Sequence, residues 1–379
     1  MATIVRIPIT NIFADGDYTG IIEVGPAKKP MNVLLDTGSS ALALDGKKYK
    51  PNFAKGDQST VLAQTDAYGD GSSWTGAVIK STLTVGAGAA TATLADGNVA
   101  IAYDASRNMF GKTDGILGLA YAPLDDAFQM AKDTSKKHYS ADQVRSGKQA
   151  SLVPYLTQLA KAGVISDILS FYTRRSCVHV GAGGANDPLN RGWVVVGGGE
   201  ESTDLYSGSF QSVKVLSDEW YCTNLKAVIV GSSAPVMGRI NGPQGMPTNS
   251  IIDSGTNSLD ISPQMLAAIL SKFPPAQKAL LSNAIYHDKL VPIAKLRLDT
   301  WPTLTFVLQG ATADVRLEVP PSNYWQVNTQ RAGMAAAAIT VGDPGLAILG
   351  LPLMNGYFTI FDGEADGGRG VVKFAKAKP

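Results

Sequence analysis

One short phrase occurs twice in this chain and limits what the chain can become. Leu34-Leu35-Asp36-Thr37-Gly38-Ser39-Ser40 returns as Ile251-Ile252-Asp253-Ser254-Gly255-Thr256-Asn257. Each copy reads as two apolar residues, an aspartate, a hydroxyl residue, a glycine and a second hydroxyl residue. Each is followed at long range by Ile-Leu-Gly, beginning at Ile116, 80 residues after Asp36, and at Ile348, 95 residues after Asp253. A two-part phrase repeated in the same order marks a duplicated structural plan. Two similar halves, each ending an apolar strand in an Asp-containing turn, would bring two carboxyls to a pseudo-twofold axis. A single Asp-Thr-Gly is as well explained by an ordinary surface Asx-turn. Two copies with matched downstream partners are not.

The length agrees with duplication. At 379 residues the chain exceeds what one core needs, and the division is placed to give lobes at 1–184, carrying Asp36, and 185–379, carrying Asp253. With 40 Gly, 20 Pro and only 17% charged residues, the composition favours a mostly β protein rich in turns. Short alternating runs predict strands at Tyr18 to Val24, Val33 to Leu35, Ala77 to Val85, Trp193 to Val196, Leu225 to Val230, Leu304 to Leu308 and Tyr357 to Phe361. Helical spacing is clearest at Leu152 to Ala162 and Pro263 to Phe273, with Ser151 and Ser262 as expected caps. The polar stretch from Pro123 to Gln149, with Lys132, Lys136, Lys137, Arg145 and Lys148, reads as a solvated surface insertion.

Several classes are excluded or disfavoured. A formal charge of +1 offers no field for nucleic acid or a membrane surface. No stretch approaches the ~20 apolar residues that span a bilayer, and the first 20 residues lack the apolar region of a signal peptide, so the chain is expected to be cytoplasmic or the mature form of an exported protein. His138, His179 and His287 have neither zinc-ligand spacing nor a Gly-x-Ser-x-Gly partner for serine catalysis. Gly197-Gly198-Gly199 lacks the lysine of a phosphate loop and reads as a turn. No metal and no cofactor is called for. Cys177 and Cys222 are too few for a disulfide framework, and whether they pair is open.

Paired carboxyls suggest a chemistry of their own. Hydrolysis of a peptide bond needs one group to take a proton from water and another to stabilise charge on the carbonyl oxygen. At ~3 Å and an effective dielectric of ~20, two negative carboxylates repel by about 5 kcal/mol, so one keeps its proton well above the ordinary carboxylate range. Gly38 and Gly255 permit a tight turn whose amides can reach the carboxylates. Ser39 and Thr256 can donate hydroxyl hydrogen bonds, while Thr37 and Ser254 could lock the two turns to each other. Tyr68-Gly69-Asp70-Gly71 between extended segments is a hairpin signal, either an ordinary surface hairpin or a lid.

In these features the chain resembles the pepsin-like aspartic protease family over nearly its whole length. Ala67 to Ser72 is similar to that family's flap tip, Thr113 to Tyr121 to its first Ile-Leu-Gly segment, and Ala347 to Asp362 to its C-terminal signature. Ser170-Phe171-Tyr172, Val194 to Gly199 and Val319 to Ser322 match further landmarks. The resemblance implies a bilobal, mostly β fold with an active-site cleft between the lobes, and an aspartic endopeptidase that activates water with Asp36 and Asp253. Dyads sharing a proton are established behaviour in that family. The resemblance also implies Tyr68 as the flap tyrosine over substrate, with Gly69 and Asp70 beside it. Leu34, Ile116 and Ile251 line specificity pockets on this reading and are plain core on the other. Peptide or protein substrates cut next to hydrophobic residues at acidic pH, inhibition by pepstatin-type compounds, and a monomer without nucleic-acid or membrane partners are expected.

The departures are specific. The family commonly has a tryptophan seven residues after the first aspartate, supporting the flap tyrosine; here Ala43 stands there, and flap positioning becomes the open question. With 35 residues before Asp36, an inhibitory prosegment is not expected. This reduced pattern is closest to bacterial pepsin homologues, and the balanced charge suggests a pH optimum less extreme than that of gastric members. The competing reading is a catalytically silent pepsin-like binding or inhibitor protein.

Overall fold

The computed structural model describes residues 2–88, 90–181, 183–238 and 248–379. The chain forms two compact units, one of Met1–Ile7, Thr19–Asp167 and Val195–Gly198, the other of Pro8–Tyr18, Ile168–Val194 and Gly199–Pro379. Both are built mainly of strands. Among the described residues no helix is long and apolar enough to cross a membrane.

The first unit is organised by six strands: β1 (Lys29–Asp36), β2 (Leu42–Asp45), β3 (Gln58–Ala67), β4 (Ser73–Ala87), β5 (Ala90–Ala105) and β6 (Gly115–Gly118). β1 buries Met31, Val33 and Leu35 on the alternation expected of a strand covered on one face. It pairs in parallel with β6, so that Leu34 faces Ile116, Leu35 faces Leu117 and Asp36 faces Gly118. On its other side β6 pairs antiparallel with β2, which runs parallel to β5. β3 and β4 form a long hairpin joined at residues 68–72.

The second unit repeats this pattern with shorter pieces: β7 (Ser250–Ile252), β8 (Leu259–Ile261), β9 (Ile339–Val341) and β10 (Ala347–Leu349). β7 runs parallel to β10, with Ile251 facing Ile348 and Ile252 facing Leu349. β10 pairs antiparallel with β8, and β8 runs parallel to β9. Strand for strand, the repeated phrase is a repeated fold: the aspartate strand lies beside the Ile-Leu-Gly strand in the same register in both copies.

The glycine that ends each Ile-Leu-Gly has a steric reason. A Cβ on Gly118 would stand 2.4 Å from the carbonyl carbon of Ser40 and 2.6 Å from the amide of Ala41. On Gly350 it would stand 2.1 Å from the carbonyl oxygen of Thr256 and 2.4 Å from that of Ser258. In both units the loop that follows the aspartate presses backbone onto this glycine, and backbone cannot swing aside as a side chain can.

All seven expected strands are present. The two expected helices are Tyr155–Lys161 and Pro263–Leu270, but their caps differ from expectation. Pro154, not Ser151, precedes the first helix, because Ser151 belongs to the strand Lys148–Ser151. Ser262 holds the cap position of the second without making a capping bond. A third helix, Pro275–His287, buries only Leu281 and Ala284 and so carries almost no amphipathic signal.

The polar stretch 123–149 is more than a solvated insertion. Its lysines and Arg145 are exposed, but Asp126–Gln129 pairs with Lys148–Ser151 and with Leu62 and Ala63 of β3. Met130, Tyr139 and Val144 pack against Ala63. This packing buries Asp125, whose carboxylate accepts a hydrogen bond from Gln64 on β3 at 2.7 Å. Burial pushes the Asp125 carboxyl up to about 7; Gln64 opposes the shift, and the charges of Asp66 and Asp126 add to it.

Two predictions follow from this packing. Gly118→Ala and Gly350→Ala are each expected to destabilise the protein by about 3 kcal/mol or to prevent folding. Gly69→Ala, where an added Cβ meets nothing within 4 Å, is the matched control for thermal unfolding. Equal melting temperatures for the three variants would refute the steric argument. For Asp125, the folded chain holds a proton up to about pH 7 that the unfolded chain releases at ordinary carboxylate pH. Its contribution to stability is therefore complete in acid and lost as pH rises through about 7. Asp125→Asn should raise the melting temperature by on the order of 5 °C at pH 7.5 and change it little at pH 3.5; the same shift at both pH values would contradict this.

Candidate active site

Asp36 is the last residue of β1, and the chain turns sharply after it. The amide of Gly38 donates to one oxygen of its carboxylate at 2.8 Å, and the hydroxyl of Ser39 donates to the other at 2.5 Å. The backbone is tied down as well: Leu119 N–H bonds the carbonyl of Asp36 and Ala120 N–H that of Ser39, both at 2.8 Å. Asp36 and Ser39 are buried with small exposed fractions, and Thr37 is fully buried.

The second unit builds the same arrangement. Asp253 follows β7; Gly255 N–H donates to one carboxylate oxygen at 2.8 Å and the Thr256 hydroxyl to the other at 2.6 Å. Asp253 N–H bonds the carbonyl of Leu349, and Leu351 N–H bonds that of Thr256. Ser254 is buried, as Thr37 is in the first unit. In each unit an amide and a hydroxyl reach opposite oxygens of one carboxyl, an arrangement that holds the group in one orientation and favours its ionised form.

The segment 68–72 closes the β3–β4 hairpin. Tyr68 and Ser72 are joined by a backbone bond from Tyr68 N–H, and Gly71 N–H returns to the carbonyl of Tyr68. The side chain of Asp70 accepts from Ser72 N–H at 2.8 Å. Gly71 has φ of 82°, where glycine is favoured; Gly69 is not left-handed. Gly69 and Asp70 are exposed and Tyr68 is half-buried.

Tyr68 and the two first-unit pocket candidates come together. Leu34 and Tyr68 pack against a buried cluster of Ala41, Ala43, Trp74, Ala100, Ala102, Phe110 and Ile116. Leu34 is half-buried and so presents some surface, whereas Ile116 is 4% exposed. Ile251 in the second unit is 6% exposed, between Ile348 and Cys222 on neighbouring strands.

Trp74 is the residue that sequence reasoning missed. Its indole N–H donates to the phenol oxygen of Tyr68 at 3.2 Å. The supporting tryptophan expected at position 43 is replaced by one on β4, six residues after Tyr68, and four alanines of the cluster leave the volume its ring fills. The available signal was complementary size: an alanine where an indole is common, and an indole nearby on the hairpin. The phenol of Tyr68 is held above its ordinary range by burial first and then by the charges of Asp66 and Asp36, while the hydrogen bond from Trp74 and the nearby Ser39 hydroxyl oppose the shift.

Cys177 and Cys222 are both free thiols. Burial pushes the Cys177 thiol up to about 11 and that of Cys222 in the same direction. Neither has the depressed value of a reactive thiolate.

The chain matches the family model described as eukaryotic aspartyl protease across residues 17–376. It is 23% identical to Pepsin-2B of Gadus morhua over 92% of this chain and 94% of that protein. It is 25% identical to Pepsin B of Canis lupus familiaris, over 95% and 82% of the two chains. Gastricsin of Homo sapiens matches at 23% identity over 92% and 80%. With the mostly β fold and both Asp-Thr/Ser-Gly turns inside the matched span, the chain belongs to the eukaryotic aspartyl protease family and is an aspartic-type endopeptidase.

Proposed function

We propose that Asp36 and Asp253 are the catalytic dyad of this endopeptidase, one from each lobe-forming half of the chain (1–184 and 185–379). The observation that carries the proposal is the matched setting of the two carboxyls, each receiving a glycine amide on one oxygen and a hydroxyl on the other. In this reading the ionised member takes a proton from water, whose oxygen attacks the scissile carbonyl carbon. The protonated member hydrogen-bonds the carbonyl oxygen as its charge grows. The resulting tetrahedral intermediate collapses when the departing nitrogen is protonated and the carbon–nitrogen bond breaks. The proton belongs to the pair, so neither residue is assigned as the acid. Thr37 and Ser254, both buried, are proposed to lock the two turns to each other.

Tyr68, with Gly69 and Asp70 at the hairpin tip, is proposed to cover the substrate. Leu34, beside Tyr68 and partly exposed, is the best supported of the three pocket candidates. Ile116 and Ile251 act mainly by shaping the strands beneath, which their burial favours. The proposed substrates are unfolded or extended polypeptides cut in acid between hydrophobic residues, with pepstatin-type compounds as inhibitors. The protein is proposed to act as a monomer without a cofactor, nucleic-acid or membrane partner, as a cytoplasmic or exported mature protein. The proposed kinship with bacterial pepsin homologues rests on the sequence pattern alone, with two cysteines too few for the family's usual disulfides and Ala43 where a tryptophan is common. The silent binding-protein reading depended on Ala43 depriving the flap tyrosine of support, and Trp74 removes that ground.

The test is cleavage of a denatured protein from pH 2 to 7 by wild type, Asp36→Asn and Asp253→Asn, with and without pepstatin. Cleavage confined to acid, reduced by on the order of 10³ or more in either variant and blocked by pepstatin, is expected. Undiminished cleavage by folded Asp36→Asn would overturn the dyad assignment. Inactivity of folded wild type at every pH would favour the silent reading.

A further inference from the structure

The polar stretch 123–149 does more than pack against β3: together with the loop after β2 it walls a cavity of about 730 Å³. The floor is apolar and lies on the strand pair β4–β5, with Ala77, Ile79 and Ile101. Side chains alternate between the two faces of a strand. Ala77 and Ile79 therefore lie on the opposite face of β4 from Trp74, and Ile101, the partner of Ala77, lies opposite Ala100 and Ala102. The cavity is thus behind the sheet from the cluster that carries Leu34 and Tyr68, with Ala102, Met109 and Phe110 bordering both.

Both walls are fixed by buried polar bonds, so the space cannot simply close. Tyr49 and Phe53 form one wall. The Tyr49 hydroxyl donates to Asp57 at 2.9 Å, and that buried carboxylate also accepts from Asn52 N–H at 2.6 Å and from the Ser81 hydroxyl on β4 at 2.7 Å. Thr134, Ser135 and His138 form the other wall. The Thr134 hydroxyl donates to the carbonyl of Leu62 on β3 at 2.8 Å. The Tyr103 hydroxyl on β5 accepts from Tyr139 N–H and donates to the Tyr139 carbonyl, both at 3.0 Å. The rings of Tyr103 and His138 are stacked, with centroids 4.0 Å apart. A pre-formed space of this size with an apolar floor has the character of a small-molecule site.

The charges on the lining select the ligand. Lys47, Lys50 and Arg107 line the cavity and are exposed, and none of the three makes an ion pair among the described residues. Two carboxylates oppose them: Asp104, and Asp45, which already accepts from Lys47 N–H at 2.8 Å. Three unpaired cations over an apolar floor suit an anionic head on an apolar body.

We propose that this cavity is a binding site for a small organic carboxylate with an apolar body, its head held by Lys50 and Arg107 and its body by Ala77, Ile79 and Ile101. The site is built from first-unit residues alone and is independent of the dyad assignment.

The experiment is displacement of anilinonaphthalene sulfonate, an apolar anion whose fluorescence rises on leaving water, from the full chain at about pH 6.5, where carboxylate ligands are ionised. Octanoate should displace the dye about tenfold more effectively than octanol, which has the same chain without the charge. Lys50→Glu and Arg107→Glu should each weaken octanoate about threefold and together about tenfold. Lys148→Glu, at an exposed lysine of the same polar stretch that does not line the cavity, should leave binding unchanged. Ala77→Leu should fill the floor and lower octanoate binding by about tenfold or more; should it fail to fold, the surface charge variants still decide. Equal displacement by octanol and octanoate, octanoate binding indifferent to Lys50→Glu and Arg107→Glu, or no displacement by millimolar octanoate would each overturn the proposal. Displacement of the dye by a pepstatin-type inhibitor would place binding at the candidate active site and overturn it as well.

Discussion

Both aspartates owe their positions to a parallel pairing between a strand that ends in the aspartate and a strand that ends in glycine. The register Leu34 to Ile116 and Ile251 to Ile348 is the same in each unit. Parallel strands cannot be joined by a tight hairpin and need long connections. This accounts for the 80 and 95 residues that separate each aspartate from its Ile-Leu-Gly. The glycine lets the loop after the aspartate lie directly on the neighbouring strand. The amides of Leu119 and Leu351 then bind carbonyls of that loop. A side chain at either glycine would push on the backbone that follows the aspartate, at Ser40 and Ala41 in the first unit and at Thr256 and Ser258 in the second.

Near Asp36 the hairpin is fitted to this scaffold through volume. The ring of Trp74 needs space that large residues at 41, 43, 100 and 102 would deny it, and all four are alanines. A close-packed interior admits an indole at one of two neighbouring places, not both. A tryptophan missing from β2 and one present on β4 are therefore the same observation, although they lie 31 positions apart in the chain.

Much of this architecture was legible in the sequence, for physical reasons. The aspartate turns and the Ile-Leu-Gly segments are local phrases whose chemistry follows from their residue types, and strand alternation survives because each strand has one covered face. What was not legible depended on partners distant in sequence. Trp74 reads as one more apolar residue of a strand until Tyr68 and Ala43 are beside it. The helix Pro275–His287 has too few buried positions to announce itself. Ser151 looked like a helix cap because nothing local reveals that residues 148–151 pair with 126–129. The same pairing turned a stretch dense in lysine into part of a packed layer, and hid the burial of Asp125.

That buried acid gives the proposed acid chemistry a structural counterpart. Gln64, its hydrogen-bond partner, and Asp66, whose carboxyl burial also pushes upward, lie on β3, the strand that leads to Tyr68. In acid both carboxyls are neutral. As pH rises, Asp125 and Asp66 compete to ionise within one poorly solvated region, and each charge makes the other costlier. The proposed dyad needs one proton between two carboxyls, and burial favours the protonated form of Asp125 and Asp66 at the base of the hairpin. The proposed dyad chemistry and the layer holding Asp125 therefore favour the same side of neutrality as two separate contributions from different groups. Replacing Asp125 by an amide acts on the second contribution alone.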